Sequence, residues 1–286
     1  MKRVCRAADL AALAGIVALA LALLAPGRAA GELRLSFLDI GQGDSILIEA
    51  PNGASAMVDG GPPGSVLPPL AAALPAGRAI AAAIATHPDL DHIGGLPSVV
   101  SKRKVEKLLS SPYKSGEPTE RALDVAVTDA NVATGTLIRG DRLVLDEADG
   151  VFLDILWPPP NLPAAAGNNM SMVAVLRYGS SSALLTGDAP KGVEKILVAA
   201  GDPLDVQILK PGHHGSKTAT DSAFVVAASP LFAVISAGIS NRYGHPTAET
   251  LVTLAEAHVA IESTLGRGTV AFSTKGDGRW EMLPQG

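Results

Sequence analysis

Short apolar runs, each ending near Gly, Asn, Asp or Pro, recur along the chain from Leu33 onward. In the first half they are 33–38, 45–49, 56–58 and 81–86; in the second they are 151–156, 172–178, 182–186, 206–210 and 232–236. Several alternate or are β-branched, and their length and turn-forming ends predict strands. Segments with helical patterning lie between them, at 67–74, 192–200, 221–228 and 247–257. Pro190 ahead of Gly192-Val193-Glu194-Lys195, and Thr247 ahead of Glu249, read as helix starts. Two strand-rich halves flanked by helices predict an α/β sandwich, two stacked sheets with helices on the outer faces. The segment from Pro158 to Gly167 is expected to be the loop between the halves.

The first thirty residues follow a different pattern. Lys2, Arg3 and Arg6 precede an uncharged apolar run from Leu10 to Ala25, and Pro26-Gly27-Arg28-Ala29 then offers small residues for cleavage after Ala29. That is the layout of a secretory signal peptide over residues 1–29. The apolar run is short for a membrane span, which needs about 20 residues. The expectation is therefore a periplasmic or secreted protein after cleavage, with an inner-membrane anchor over residues 10–25 as the alternative. Residues 30–286 form one further domain.

With 286 residues and few aromatics, the chain has room for one sizeable aliphatic core. A formal charge of −5 counts against a protein that coats nucleic acid, though not against a nuclease whose metal ions contact phosphate. The one cysteine, Cys5, lies ahead of the apolar run. The mature chain thus has neither disulfides nor thiolate ligands, and any metal must be held by nitrogen and oxygen.

Candidate chemistry concentrates in Thr86-His87-Pro88-Asp89-Leu90-Asp91-His92-Ile93-Gly94-Gly95. If the strand before it runs on, His87, Asp89 and Asp91 share a face, and a turn brings His92 to them. Imidazole and carboxylate together suit a divalent cation. Five of the six histidines lie in polar, glycine-rich motifs: His87 and His92, His213 and His214, and His245. From an extended backbone, adjacent His213 and His214 cannot both point at one ion, so one coordinates and the other supports it or contacts substrate. Asp59, Asp188 and His213 each follow a predicted strand, and polar residues at strand exits project to one sheet edge where a site can form.

These residues carry a resemblance. His87-x-Asp89-x-Asp91-His92, Asp188 and the downstream histidine resemble the metal motifs of the metallo-β-lactamase superfamily, whose fold is an αβ/βα sandwich with a dinuclear site along one sheet edge. The chain is more specifically similar to the hydrolase domain of ComEC-type competence (DNA-uptake) proteins. That likeness rests on Leu38-Asp39-Ile40-Gly41-Gln42-Gly43-Asp44-Ser45, Asp59-Gly60-Gly61, Thr86 to Gly95, Asn168-Asn169-Met170-Ser171, Leu185-Thr186-Gly187-Asp188, Leu209 to Lys217 and Asn241-Arg242-Tyr243-Gly244-His245-Pro246. The commoner superfamily pattern is His-x-His-x-Asp-His, and Asp89 stands in place of its second histidine. Asn168 or Asn169 replaces another. Both exchanges move preference from Zn²⁺ towards Mn²⁺ or Mg²⁺, while the histidines that remain keep Zn²⁺ as an alternative.

The resemblance implies two divalent ions. His87, Asp89 and Asp188, aided by Asn168 or Asn169, would hold one; Asp91, His92, Asp188 and one of His213 or His214 would hold the other, with Asp188 bridging. Asp91, Asp188, His214 and His245 are the expected catalytic residues. Asp59 would orient a ligand, and Ser216, Lys217, Asn241 and Tyr243 are candidates for substrate contact. The implied function is a metal-dependent phosphodiesterase or nuclease acting on DNA, alone or docked to a separately encoded membrane channel. Hydrolysis of another extracytoplasmic ester, a lactone or a β-lactam is the alternative, and a non-catalytic binding module is the third reading.

Overall fold

In the computed structural model, which describes residues 31–162, 167–239 and 241–284, alternation along the strands explains why their runs read as continuously apolar. The first sheet contains β1 (Leu33–Phe37), β2 (Ile46–Glu49), β3 (Ser55–Val58), β4 (Ala82–Ala85), β5 (Lys107–Ser110) and β6 (Ala133–Thr136). Along it Leu35, Ile46, Ile48, Val58 and Ile84 face one apolar cluster, while Leu47, Met57, Ala83 and Ala85 face another. A strand buried on both faces has no polar side to display.

The second sheet contains β7 (Arg142–Asp146), β8 (Val151–Trp157), β9 (Val173–Tyr178), β10 (Ser181–Leu185), β11 (Ile208–Lys210), β12 (Phe232–Ile235) and β13 (Ala260–Ser263). Ala174, Leu176, Ala183, Leu185 and Ile208 pack with the first sheet's inward residues into the core between the sheets. Val173, Val175, Leu184 and Leu209 point the other way.

Helices close both outer faces. On the first sheet lie α1 (Leu67–Ala73), α2 (Leu90–Ile93), α3 (Leu96–Lys102) and α4 (Pro118–Asp129), which contribute Leu70, Ile93, Leu96, Val99 and Leu123. On the second lie α5 (Lys191–Ala199), α6 (Ser222–Ala228) and α7 (Ala248–Glu256), which contribute Val193, Leu197, Phe224, Val225 and Leu254. The result is the expected αβ/βα sandwich of two mixed sheets. β3 to β6 run parallel to one another, as do β10 to β13, and the remaining pairs are antiparallel.

Three expectations need correction. The division into halves fails at the C-terminus, because β14 (Val270–Thr274) returns to pair antiparallel with β1, and β15 (Glu281–Met282) follows at its edge. The chain changes sheets between β6 and β7, so the segment from Pro158 to Gly167 is a connection from β8 to β9 within the second sheet. β4 does not run on into the histidine-aspartate motif; it ends at Ala85, and Leu90–Ile93 is a helical turn. The expected signal peptide over 1–29 and the anchor alternative over 10–25 lie outside the described residues. Among the described ones no helix is long and apolar enough to cross a membrane.

Phe272 on β14 is fully buried between the sheets, its ring 5.2 Å from that of Phe232 on β12. Phe272→Ala is expected to cost about 3–5 kcal/mol in urea unfolding. A loss below about 1 kcal/mol would show that the returning strand does not complete the core.

Candidate metal centre

The site forms where strands of both sheets end on the same edge. Asp59 follows β3, His87 follows β4, Asp188 follows β10, His213 and His214 follow β11, and the segment from Asn241 to His245 follows β12. Carboxyl ends of parallel strands are the usual ligand edge of an α/β sheet. Close backbone contacts fix this edge. The amide of Gly60 donates to His92 O at 2.7 Å and that of Gly95 to Gly61 O at 2.8 Å. A Cβ at Gly95 would lie 2.1 Å from Gly60 O, so the paired glycines let the two segments touch.

Within the motif the convergence is helical. Asp89 is the N-cap residue of α2, yet its side chain makes no capping bond. Its Oδ2 instead lies 3.6 Å from His87 Nε2. Asp91 and His92 stand on α2 itself.

Oxygen atoms orient three of the histidines. His92 Nδ1 donates to Asp59 Oδ2 at 2.7 Å, and Asp59 is itself held by the amide and hydroxyl of Thr86. His214 Nδ1 lies 3.1 Å from Ser236 O and 3.3 Å from Asp44 Oδ1. His87 Nδ1 lies 3.0 Å from Thr86 Oγ1 and 3.3 Å from Ser171 Oγ. When Nδ1 carries the proton, a neutral imidazole presents a lone pair at Nε2. His87 Nε2, His92 Nε2, His214 Nε2 and Asp188 Oδ1 are all buried without a hydrogen-bond partner among the described residues. Buried polar atoms left unpaired are costly, and a shared divalent ion is the partner such a donor set fits.

Asp188 lies at the convergence. Its Oδ1 is 3.1 Å from His92 Nε2 and 3.6 Å from His214 Nε2, and His214 Nε2 is 3.4 Å from Asp91 Oδ2. Its Oδ2 faces His213 Nε2 at 3.6 Å and His87 Nε2 at 3.9 Å. The carboxylate thus presents one oxygen to each of two groups. His213 and His214 reach opposite oxygens because neither is extended; both adopt left-handed backbone angles (φ 51° and 54°), which splay the adjacent side chains. This replaces the extended backbone assumed for the pair.

Burial alone would push Asp188 up, but the charges of His214, His92 and Lys210 outweigh it and hold the carboxyl well below its ordinary value. Burial pushes His214 down, but Asp188 and Asp44 outweigh it and lift the imidazole to about 9. His92 is raised in the same way, against burial, by Asp188 and Asp59. These opposed shifts describe carboxylates drawing positive charge towards themselves.

Two residues at the centre escaped sequence reasoning. Asp44 is buried beside the Nδ1 edges of His214 and His92. Asp44, His92, Asp188 and His214 all offer a ligand atom within 4.8 Å of one another. Because Asp44 meets the histidines on the Nδ1 side, away from their unpaired Nε2 atoms, it suits orienting them better than sharing an ion with them. Lys210, on β11, is fully buried, contacts Asp44 Oδ2 and lies 3.7 Å from Asp188 Oδ1. The signal for Lys210 was present: it follows Ile208 on the face of a strand that points between the sheets.

The remaining candidates take varied places. Asn168 Nδ2 lies 3.2 Å from His213 Nδ1, whereas Asn169 is exposed and its backbone carbonyl accepts from Trp157 Nε1. Ser216 is buried and bonds Thr218 within the loop, while Lys217 is exposed. Asn241 fixes its own loop, donating to Gly238 O and His245 O and accepting from His245 N. The His245 ring lies 5.4 Å from that of His213, and the exposed Tyr243 ring stacks on His245.

Asp59→Asn would place an amide donor against His92 Nδ1–H and disturb the tautomer that frees Nε2. Mn²⁺ affinity, measured by calorimetric titration, is expected to fall about 10–100-fold. Unchanged affinity would show that Asp59 does not set the orientation of His92.

Comparison with known proteins agrees with the geometry. The family model of the metallo-beta-lactamase superfamily matches residues 38–238. The chain is 31% identical over 263 residues to ComE operon protein 3 of Bacillus subtilis, covering 85% of this chain and 33% of that protein. It is 29% identical over 260 residues to competence protein ComA of Neisseria gonorrhoeae, covering 84% and 33%. It therefore spans about a third of the length of these curated relatives. Among solved structures, the metallo-beta-lactamase fold protein YhfI from Bacillus subtilis superposes with a TM-score of 0.58 at 11% identity, covering 85% of this chain and all of that one. The chain belongs to the metallo-β-lactamase superfamily and is related within it to competence proteins.

Proposed function

We propose that this protein is a dinuclear, Mn²⁺-dependent phosphodiesterase that acts on DNA outside the cytoplasm. The observation that carries the reading is the two-sided environment of Asp188, with His92, His214 and Asp91 grouped near Oδ1 and His87, His213 and Asp89 near Oδ2. Asp91, His92, Asp188 and His214 would hold one ion, and His87, Asp89 and Asp188 the other. His214 is preferred over His213 as the imidazole ligand because its Nε2 is buried and unpaired. His213, with the Asn168 amide at its Nδ1, supports the second group. The mixed nitrogen and oxygen donors favour Mn²⁺ over Mg²⁺, which prefers oxygen alone.

When bound, divalent ions supply Lewis acidity and lower the pKa of water at the site. The protein's own residues then have distinct tasks. Asp59, Asp44, Thr86 and Ser171 keep the imidazoles turned inward. Asp188, bonded from its amide to Ser171 Oγ, holds its two oxygens towards the two groups. His245 stands between the buried centre and solvent, where burial and the neighbouring charges of His213 and His214 lower its pKa, keeping it neutral near pH 7. A neutral imidazole there can hydrogen-bond an ester oxygen. The exposed Tyr243 ring beside it offers a surface for a flanking base. Likeness to competence proteins supports DNA as the substrate, and the basic and apolar leader sequence supports an extracytoplasmic location.

The purified protein should hydrolyse bis-p-nitrophenyl phosphate with added Mn²⁺, and Asp91→Ala should reduce turnover to background. No turnover with Mn²⁺, Mg²⁺ or Zn²⁺ would overturn the phosphodiesterase reading. Single- and double-stranded DNA then test the nuclease assignment, and rapid turnover of nitrocefin with inert DNA would favour a lactamase instead.

A further inference from the structure

A lysine at a core-facing strand position is expensive, and Lys210 is wholly buried. It follows Ile208, whose side chain lies in the core between the sheets, and is paired in register with Leu185 of β10. Its ammonium contacts Asp44 Oδ2, donates to Gly187 O at 2.7 Å and lies 3.7 Å from Asp188 Oδ1. The last distance sets it apart from an ordinary structural ion pair. Its positive charge sits beside an oxygen that also faces the unpaired Nε2 atoms of His92 and His214.

Formal charge gives this position a purpose. Five carboxylates surround the centre: Asp44, Asp59, Asp89, Asp91 and Asp188. Among the described residues, Lys210 is the one lysine or arginine ion-paired with any of them. With the histidines neutral, as ligation of a metal requires, four negative charges remain, the amount that two divalent ions offset.

We propose that Lys210 is a permanent counter-cation of the metal centre, which holds Asp44 and Asp188 in place before metal loads and competes with the ions for the same negative field. This rests on the reading of the site as a metal centre. Lys210 is a positioning residue, because it acts through Asp44 and Asp188. Two cations sharing one carboxylate oppose each other, and near a protein surface a unit charge a few ångströms away alters the affinity for a divalent ion by roughly tenfold or more. The lysine thereby stabilises the metal-free chain while keeping the ions exchangeable.

The test is a thermodynamic cycle on the full chain, read by calorimetric titration with Mn²⁺ and by melting with and without it. Lys210→Met is expected to lower the metal-free Tm, yet to bind Mn²⁺ about tenfold or more tightly than the wild type and to show a larger Mn²⁺-induced rise in Tm. A merely structural lysine would lower both melting points together and leave affinity unchanged or weaker. If Lys210→Met does not fold, Lys210→Met with Asp44→Asn removes both buried charges and is compared with Asp44→Asn alone, the double variant again binding about tenfold or more tightly. Equal or weaker Mn²⁺ binding without the lysine overturns the proposal. A wild type that binds none of Mn²⁺, Mg²⁺ or Zn²⁺ overturns the metal reading with it.

Discussion

Burying the carboxylate of Asp188 at the seam between two sheets is the constraint on which the rest of the centre depends. An ionised carboxylate in that position must be met by positive charge or by hydrogen-bond donors. The chain supplies three imidazoles within 3.6 Å, with a fourth at 3.9 Å. Each of the two best-aligned imidazoles, His92 and His214, needs an acceptor behind it, and Asp59, Asp44 and Ser236 O provide these. The added acids require compensation in turn, which Lys210 supplies from within the core. Fold and site meet here, because β10 and β11 are neighbours in the second sheet and place Asp188 and Lys210 on one edge.

This arrangement also explains the local backbone. His213 and His214 occupy left-handed conformations that side chains other than glycine adopt at a cost, and they do so side by side. The turn is held by the bond from Ser216 N to His213 O at 2.9 Å and by that from His213 N to Gly187 O at 3.1 Å. Helix α5 adds support through Glu194, which accepts from the amides of Thr220 and Asp221 just beyond the loop. Strain at the two histidines is offset by a surrounding loop that is itself well bonded.

Much of this was legible in the chain, for identifiable reasons. Strands buried on both faces leave unbroken apolar runs, so β1 to β4 and β8 to β12 stand out. The stretch from β5 to β7 does not, because α4 and β6 expose most of their side chains and β7 buries only its last two. β14 was hidden because its partner, β1, lies more than two hundred residues earlier. Asp59, His87, Asp91, His92 and Asp188 announce themselves as acids and imidazoles next to glycine-rich turns. Asp44 follows Gly-Gln-Gly outside any strand, and Lys210 is the last residue of β11. Alternation from Ile208 already points Lys210 inward, but only the folded chain reveals that Asp44 meets it there.

Electron paramagnetic resonance of the Mn²⁺-loaded protein would show directly whether Asp188 bridges two ions, as proposed. Two Mn²⁺ per chain with an exchange-coupled spectrum, reverting to isolated ions in Asp188→Asn, is the predicted result. One Mn²⁺ per chain, or two with the spectrum of isolated ions in the wild type, would contradict it.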